Sequence, residues 1–193
     1  EDYRLGTYVE AIILADSRIS KKLATNQVLT DKGIYKLTGE AYNQRHLLEP
    51  GATMGFVIND HDEIIKISSK INPTTQITVE SAVGTRITYK ENKNAALEYV
   101  MTLPEKIKYY YNGAECKYET LRDILKKNTS IVFSGNLSSK YEYEKYNNEY
   151  EKYSNEKDKY DEYEYAVIFD PGYSDPERVV NRDLFVQRNQ SLA

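Results

Sequence analysis

Tryptophan is absent from this 193-residue chain, cysteine occurs once and histidine twice. That leaves little material for a metal centre or a nucleophile–base pair. A single Cys, Cys116, cannot form an internal disulfide, so cysteine usage leaves the redox compartment open. Basic excess is missing too: the net charge is −4 and the pI near 5.4. Nucleic acid, which wants a positively charged surface, is therefore not an expected partner. No apolar run approaches the roughly 18 residues of a membrane span. The longest is Ala11 to Ala15. No initiator Met opens the chain, which reads as a segment of a longer polypeptide. With 40% apolar residues, there is enough to bury, so wholesale disorder is excluded.

What the chain has is internal order at a period of 70 to 74 residues, which points to an internal repeat. Tyr8-Val9-Glu10-Ala11 matches Thr78-Val79-Glu80-Ser81, and Val28-Leu29-Thr30 matches Val100-Met101-Thr102. Gly39, after Ile34 to Leu37, matches Gly113, after Ile107 to Tyr111. Leu47-Leu48 before Pro50-Gly51 parallels Leu121 to Leu125 before Asn128. Thr53 to Ile58 parallels Ser130 to Phe133. Each match is weak alone, but all keep the same order.

Both copies read as mostly strand. Ile64 to Ile67, Ile77 to Val79 and Arg86 to Tyr89 are β-branched and aromatic runs bounded by turn formers. Tyr163, Tyr165, Val167 and Phe169 alternate at period two, which predicts one half-buried strand face. One short helix per copy is expected. Tyr118, Leu121, Ile124 and Leu125 fall at helical spacing, with acids early and Lys126-Lys127 late, which suits the helix dipole. The counterpart is a turn near Arg45 to Glu49. The fold class expected is thus mainly β: two tandem, internally duplicated, small barrel-like or sandwich-like modules. The expected domains are residues 1–72, residues 73–171 with an insert at 137–162, and a C-terminal extension at 172–193.

The insert is rich in Tyr, Glu and Lys. Residues 137–165 carry five Lys and nine acids, so this stretch accounts for the chain's whole net charge of −4. Tyr143, Tyr146, Tyr150, Tyr153, Tyr160 and Tyr163 keep a three/four spacing, which places them on one helical face. A single helix of about 20 residues would span about 30 Å, yet the strand ends it joins belong about 5 Å apart. Two short helices, a longer hairpin, or a solvated excursion all satisfy that constraint. Functionally, the six tyrosines are the candidate partner-contact surface, because Tyr supplies area plus a polar tip.

Other constellations point away from chemistry. Asp60, Asp62 and Glu63 offer oxygen ligands but lack the spacing of a calcium loop, and hairpin turns favour such residues on backbone grounds. His46 and His61 have no second ligand nearby in sequence. Cys116 has no local base. In Tyr109-Tyr110-Tyr111, strand alternation points the middle ring away from its neighbours, which argues against a flat carbohydrate platform. No catalytic, cofactor-binding or metal residue is expected, and no cofactor.

Three runs carry a family resemblance: Asn26 to Tyr35, Ser81 to Asn92, and Tyr165 to Pro171. With Thr102-Leu103-Pro104-Glu105-Lys106, they resemble the non-anchoring region of clostridial surface-layer-homology (SLH) domain proteins. The resemblance implies secretion to the cell envelope of a Gram-positive bacterium and a structural or interaction role in a multidomain S-layer-type protein. It implies partners among the parent's other domains, cell-wall polysaccharide or another surface protein. A glycan-binding module using Tyr faces is the alternative.

Overall fold

A computed structural model describes residues 6–135 and 163–171. These fall into two compact units, one of residues up to Asn72 and the other beginning at Pro73, with Asn112–Ala114 grouped with the first. Among the described residues the chain is mainly β, with two sheets and little helix.

In the first unit, β1 (Thr7–Asp16), β2 (Gln27–Thr30), β3 (Gly33–Leu37), β4 (Thr53–Ile58) and β5 (Glu63–Lys70) close in the order β1-β2-β3-β5-β4. All neighbours are antiparallel except β3 and β5, which run parallel with Leu37 opposite Ile64. A parallel pair needs a crossover. Here α1 (Gly39–Asn43), a 3-10 turn (Arg45–Leu47) and β4 supply it. The enclosed core holds Ile13, Val28, Met54, Phe56 and Ile64, with Ala41 and Leu48 added by the helical segment. Phe56 is fully buried and meets Tyr35 edge-on at 5.3 Å. Burying such a ring contributes about 1.5–3 kcal/mol. The run Ala11 to Ala15 is buried at every position, which is why it is continuous in apolar residues and does not alternate.

The second sheet contains β6 (Thr74–Val83), β7 (Arg86–Lys90), β8 (Tyr99–Thr102), β9 (Lys108–Tyr111), β10 (Ala114–Cys116), β11 (Ser130–Gly135) and β12 (Tyr163–Phe169). Their order is β10-β9-β12-β11-β6-β7-β8. Between β10 and β11 lie a 3-10 turn (Tyr118–Thr120) and α2 (Leu121–Ile124). This is the helical segment expected from the sequence, and it packs Leu121 and Leu125 into a core with Ile77, Val79, Tyr109, Ile131 and Phe133.

The two sheets share a run of four strands. β3-β5-β4-β1 and β9-β12-β11-β6 have the same order and the same senses, including the parallel pair. They also share a backbone clamp. Ile13 donates to the Ala52 carbonyl and accepts from Gly51, at 2.9 and 2.7 Å; Val79 donates to Thr129 and accepts from Asn128, both at 2.8 Å. Gly51 and Asn128 both sit at positive φ, 93° and 73°.

Three expectations change. Thr53 pairs with Ile12 and Ser130 with Thr78, so Thr78 corresponds to Ile12 and not to Tyr8. A strand pattern of period two looks the same after any even slip, so sequence alone could not exclude that shift. Val100 to Thr102 does not repeat the place of Val28 to Thr30. β2 bridges β1 and β3, whereas β8 pairs with β7, an added strand reached through a turn at Gly84 (φ 65°). Finally, Tyr163 does not share a face with Tyr165, Val167 and Phe169. A bulge opposite Ser134 and Gly135 shifts the register, turning Tyr163 into the core beside Ala166 and Ile168. An extra residue in one strand inverts the alternation beyond it.

Candidate functional site

A polar pocket of about 150 Å³ opens in the first unit, at the end where β1 and β2 meet the 3-10 turn. It is built from a chain reversal. Asp16, the last residue of β1, pairs with Val28, and its carbonyl accepts the amides of Ile19 and Ser20 at 3.1 and 2.9 Å. Its carboxylate is thereby aimed at Arg18. Asp16 Oδ1 accepts the Arg18 amide at 2.9 Å, and Oδ2 accepts guanidinium Nε and Nη2 at 3.1 and 2.6 Å. Both side chains are partly buried, so this charge-assisted fork is stiffer than an exposed pair.

Across the pocket, Arg45 is held by Tyr42. Its guanidinium lies 4.3 Å from the ring centroid, and Nη1 donates to the Tyr42 carbonyl at 3.0 Å. The Tyr42 hydroxyl donates in turn to Thr25 at 3.3 Å. A planar cation held over a ring and bonded to a backbone carbonyl loses little further freedom on meeting a ligand. Among the described residues no carboxylate pairs with Arg45. His46 also lines the pocket, and Val28, Leu37 and Leu48 supply buried apolar surface.

Sequence reasoning singled out His46 but missed Asp16, Arg18 and Arg45. Asp16 ends β1, Arg18 lies in the reversal after it and Arg45 opens a 3-10 turn, so no periodic signal links them, and only the folding of residues 16–28 against 45–48 brings them together.

The other candidates are placed as follows. Asp60, Asp62 and Glu63 form the β4–β5 turn. Asn59 organises it: its Oδ1 accepts the amides of His61 and Glu63 at 2.9 and 3.0 Å, and its Nδ2 donates to the Glu63 carboxylate at 2.9 Å. Asp62 takes positive φ, 59°. The acids here serve turn geometry, and His61 stands exposed beside Asp60. Among the described residues no group of three or more His, Cys, Asp or Glu gathers at metal-binding distance.

Cys116 is half-buried on β10, and burial, reinforced by Glu115, pushes its thiol up. That is the reverse of what a nucleophile needs. The triple tyrosine alternates as expected. Tyr109 and Tyr111 belong to the core side, while Tyr110 points to the other face and meets Tyr165 edge-on at 6.1 Å. Of the six partner-contact tyrosines, Tyr143, Tyr146, Tyr150, Tyr153 and Tyr160 lie outside the described residues. Tyr163 is buried and stacks on Phe133 at 4.7 Å, so its ring area is spent in the core.

Among the described residues no helix is long and apolar enough to cross a membrane. No protein-family model matches the chain, and no curated protein matches it.

Proposed function

We propose that this chain is a non-catalytic structural or interaction module of a secreted, cell-envelope-associated bacterial surface protein, made of two β modules copied from one ancestral unit. The observation that carries the duplication is the four-strand run common to both sheets. Its parallel pair weighs most, because a parallel neighbour requires a specific crossover and is less common than a hairpin. The matched clamps at Ile13 and Val79 strengthen it. A scaffold made of such units places its reactive-looking side chains in structural service. Tyr109 donates to the Pro104 carbonyl at 2.5 Å and Tyr118 to the Leu103 carbonyl at 2.7 Å, while Asn59 and its acids shape a turn. The envelope location and SLH kinship rest on the sequence resemblance alone.

Protease shaving tests this reading. Trypsin added to intact source cells should release peptides of this chain. Recovery of the intact chain only from the cytosolic fraction would refute it. The glycan-binding alternative through Tyr faces is not favoured by the placement of Tyr109, Tyr110, Tyr163 and Tyr165, whose rings are all buried. A pull-down on purified peptidoglycan, with saturable retention, would restore it.

A further inference from the structure

The second sheet ends on two strands that have one neighbour each, β10 and β8. They are not equally guarded. β10 has three residues, with Glu115 at its middle and Lys117 directly after it, and edge charges of this kind deter a further strand. β8 (Tyr99–Thr102) carries no charge, no proline and no bulge. It pairs with β7 in unbroken register, from Arg86 opposite Thr102 to Tyr89 opposite Tyr99. The Leu103 amide donates to the Thr85 carbonyl at 2.9 Å, which fixes the parity of that ladder. Residues 99, 101 and 103 turn their backbone groups towards β7, so Val100 and Thr102 turn theirs outward. Among the described residues no partner meets those outward groups. Thr102 is exposed and Val100 half-buried, and Leu97, 68% exposed, stands two residues ahead of the strand.

We propose that this edge pairs with the same edge of a second copy of the chain, antiparallel about a two-fold axis at Met101. Hydrogen bonding, charge and side-chain fit choose that occupant. Val100 opposite Thr102 of the second copy, and Thr102 opposite its Val100, satisfies every outward N–H and C=O with four hydrogen bonds, and the two-fold makes both halves equivalent. Slipping by two residues is worse in either direction. One slip puts Val100 opposite Pro104, which has no N–H, and the other puts Thr102 opposite Glu98, which lies outside the strand. In the two-fold register Glu98 falls opposite Pro104, so no like charges meet although the chain's net charge is −4. The β-branched Val100 and Thr102 sit side by side on one face, and Met101 lies on the face that carries the core. The pairing is weak. Four residues at about 3.4 Å each, on an edge about 10 Å thick, offer a patch of about 140 Å² per partner, far below the about 800 Å² of a stable complex. The dimer is therefore reversible and concentration-dependent. It requires nothing of the scaffolding role and does not depend on where the chain resides.

Sedimentation equilibrium and amide hydrogen exchange of the full chain, from about 10 μM to about 1 mM, test it. The mass should rise towards that of a dimer with concentration. Exchange at Val100 and Thr102 should be fast in the dilute chain and slower by at least about twofold in the concentrated one, whereas Met101, bonded to β7 throughout, should not change. Thr102→Pro removes one outward N–H per copy at a place where an edge strand tolerates proline. It should weaken the dimer at least about tenfold and leave the melting of the dilute chain near wild type. If it unfolds, Thr102→Lys, which puts a charge on the edge, carries the test with the same expectation. A synthetic peptide of residues 97–103 should dissociate the dimer. A strict monomer at the highest concentration, slow exchange at Val100 and Thr102 in the dilute chain, a dimer that leaves those two amides fast, or one that both variants leave intact would each overturn it. Protection of these amides by an extended peptide of unrelated sequence, without self-pairing, would assign the edge to a foreign strand and overturn the second copy as its occupant.

Discussion

Replacing Tyr109 by Phe tests how the second unit uses its tyrosines. The ring of Tyr109 is fully buried, and its hydroxyl donates to the carbonyl of buried Pro104 at 2.5 Å. Tyr109→Phe keeps the ring area and removes one hydroxyl. It leaves the Pro104 carbonyl without that donor, which costs about 1–3 kcal/mol. For a unit of this size, each kcal/mol shifts Tm by about 4–8 °C, so the variant should melt about 4–24 °C lower near pH 8. A second readout separates the hydrogen bond from general repacking. Burial, then the neighbouring Tyr118 and Cys116, holds the Tyr109 hydroxyl well above its ordinary value of 10.0. The neutral form is therefore favoured by folding. Its contribution is fully present below pH 10.0 and is lost as pH rises above that value, because the unfolded chain ionises first. The gap between wild type and variant should then shrink by about 1.4 kcal/mol per pH unit above roughly pH 10. Urea midpoints at pH 8, 10 and 11 measure this, and other tyrosines cancel in the difference. A gap below about 0.5 kcal/mol at pH 8, or one that stays constant to pH 11, would refute the argument.

Three other substitutions follow from the same geometry. Gly51→Ala places a side chain at φ 93° and should cost about 1–2 kcal/mol, whereas Asn128→Gly at φ 73° should change stability by less than about 0.5 kcal/mol, both read from urea denaturation. Phe56→Ala should cost about 3–5 kcal/mol in calorimetry, because the fully buried ring leaves a cavity that the closed five-strand sheet cannot collapse. Thr78 and Ser130 face each other across the β6–β11 ladder with buried hydroxyls that find no partner among the described residues. The pair Thr78→Val with Ser130→Ala should therefore be neutral or stabilising by up to about 2 kcal/mol, and a loss above about 1 kcal/mol in thermal melts would reveal a hidden partner.

Each level of the structure was legible to a different depth. The strand runs, the helical spacing of Tyr118 to Leu125, the turn at Asn59 to Asp62 and the alternation of Tyr109 to Tyr111 are local. They depend on side-chain type and backbone preference within a few residues, and they could be read directly. Not legible was the four-residue slip between Tyr8 and Ile12 as partners of Thr78, because a period-two pattern is unchanged by even shifts. The α1 helix over Gly39–Asn43 was missed because five residues carry too little periodicity.

The order of residues along the chain determined that this protein would be mainly β, with apolar strand runs bounded by turn formers. Those follow from composition and short-range spacing. Only tertiary structure decided that one sheet closes while the other gains β7, that a bulge turns Tyr163 inward, and that Arg18, Arg45 and His46 share a pocket. Strand closure, register and pocket formation depend on pairings between residues distant in sequence, and no local pattern encodes which distant partner wins.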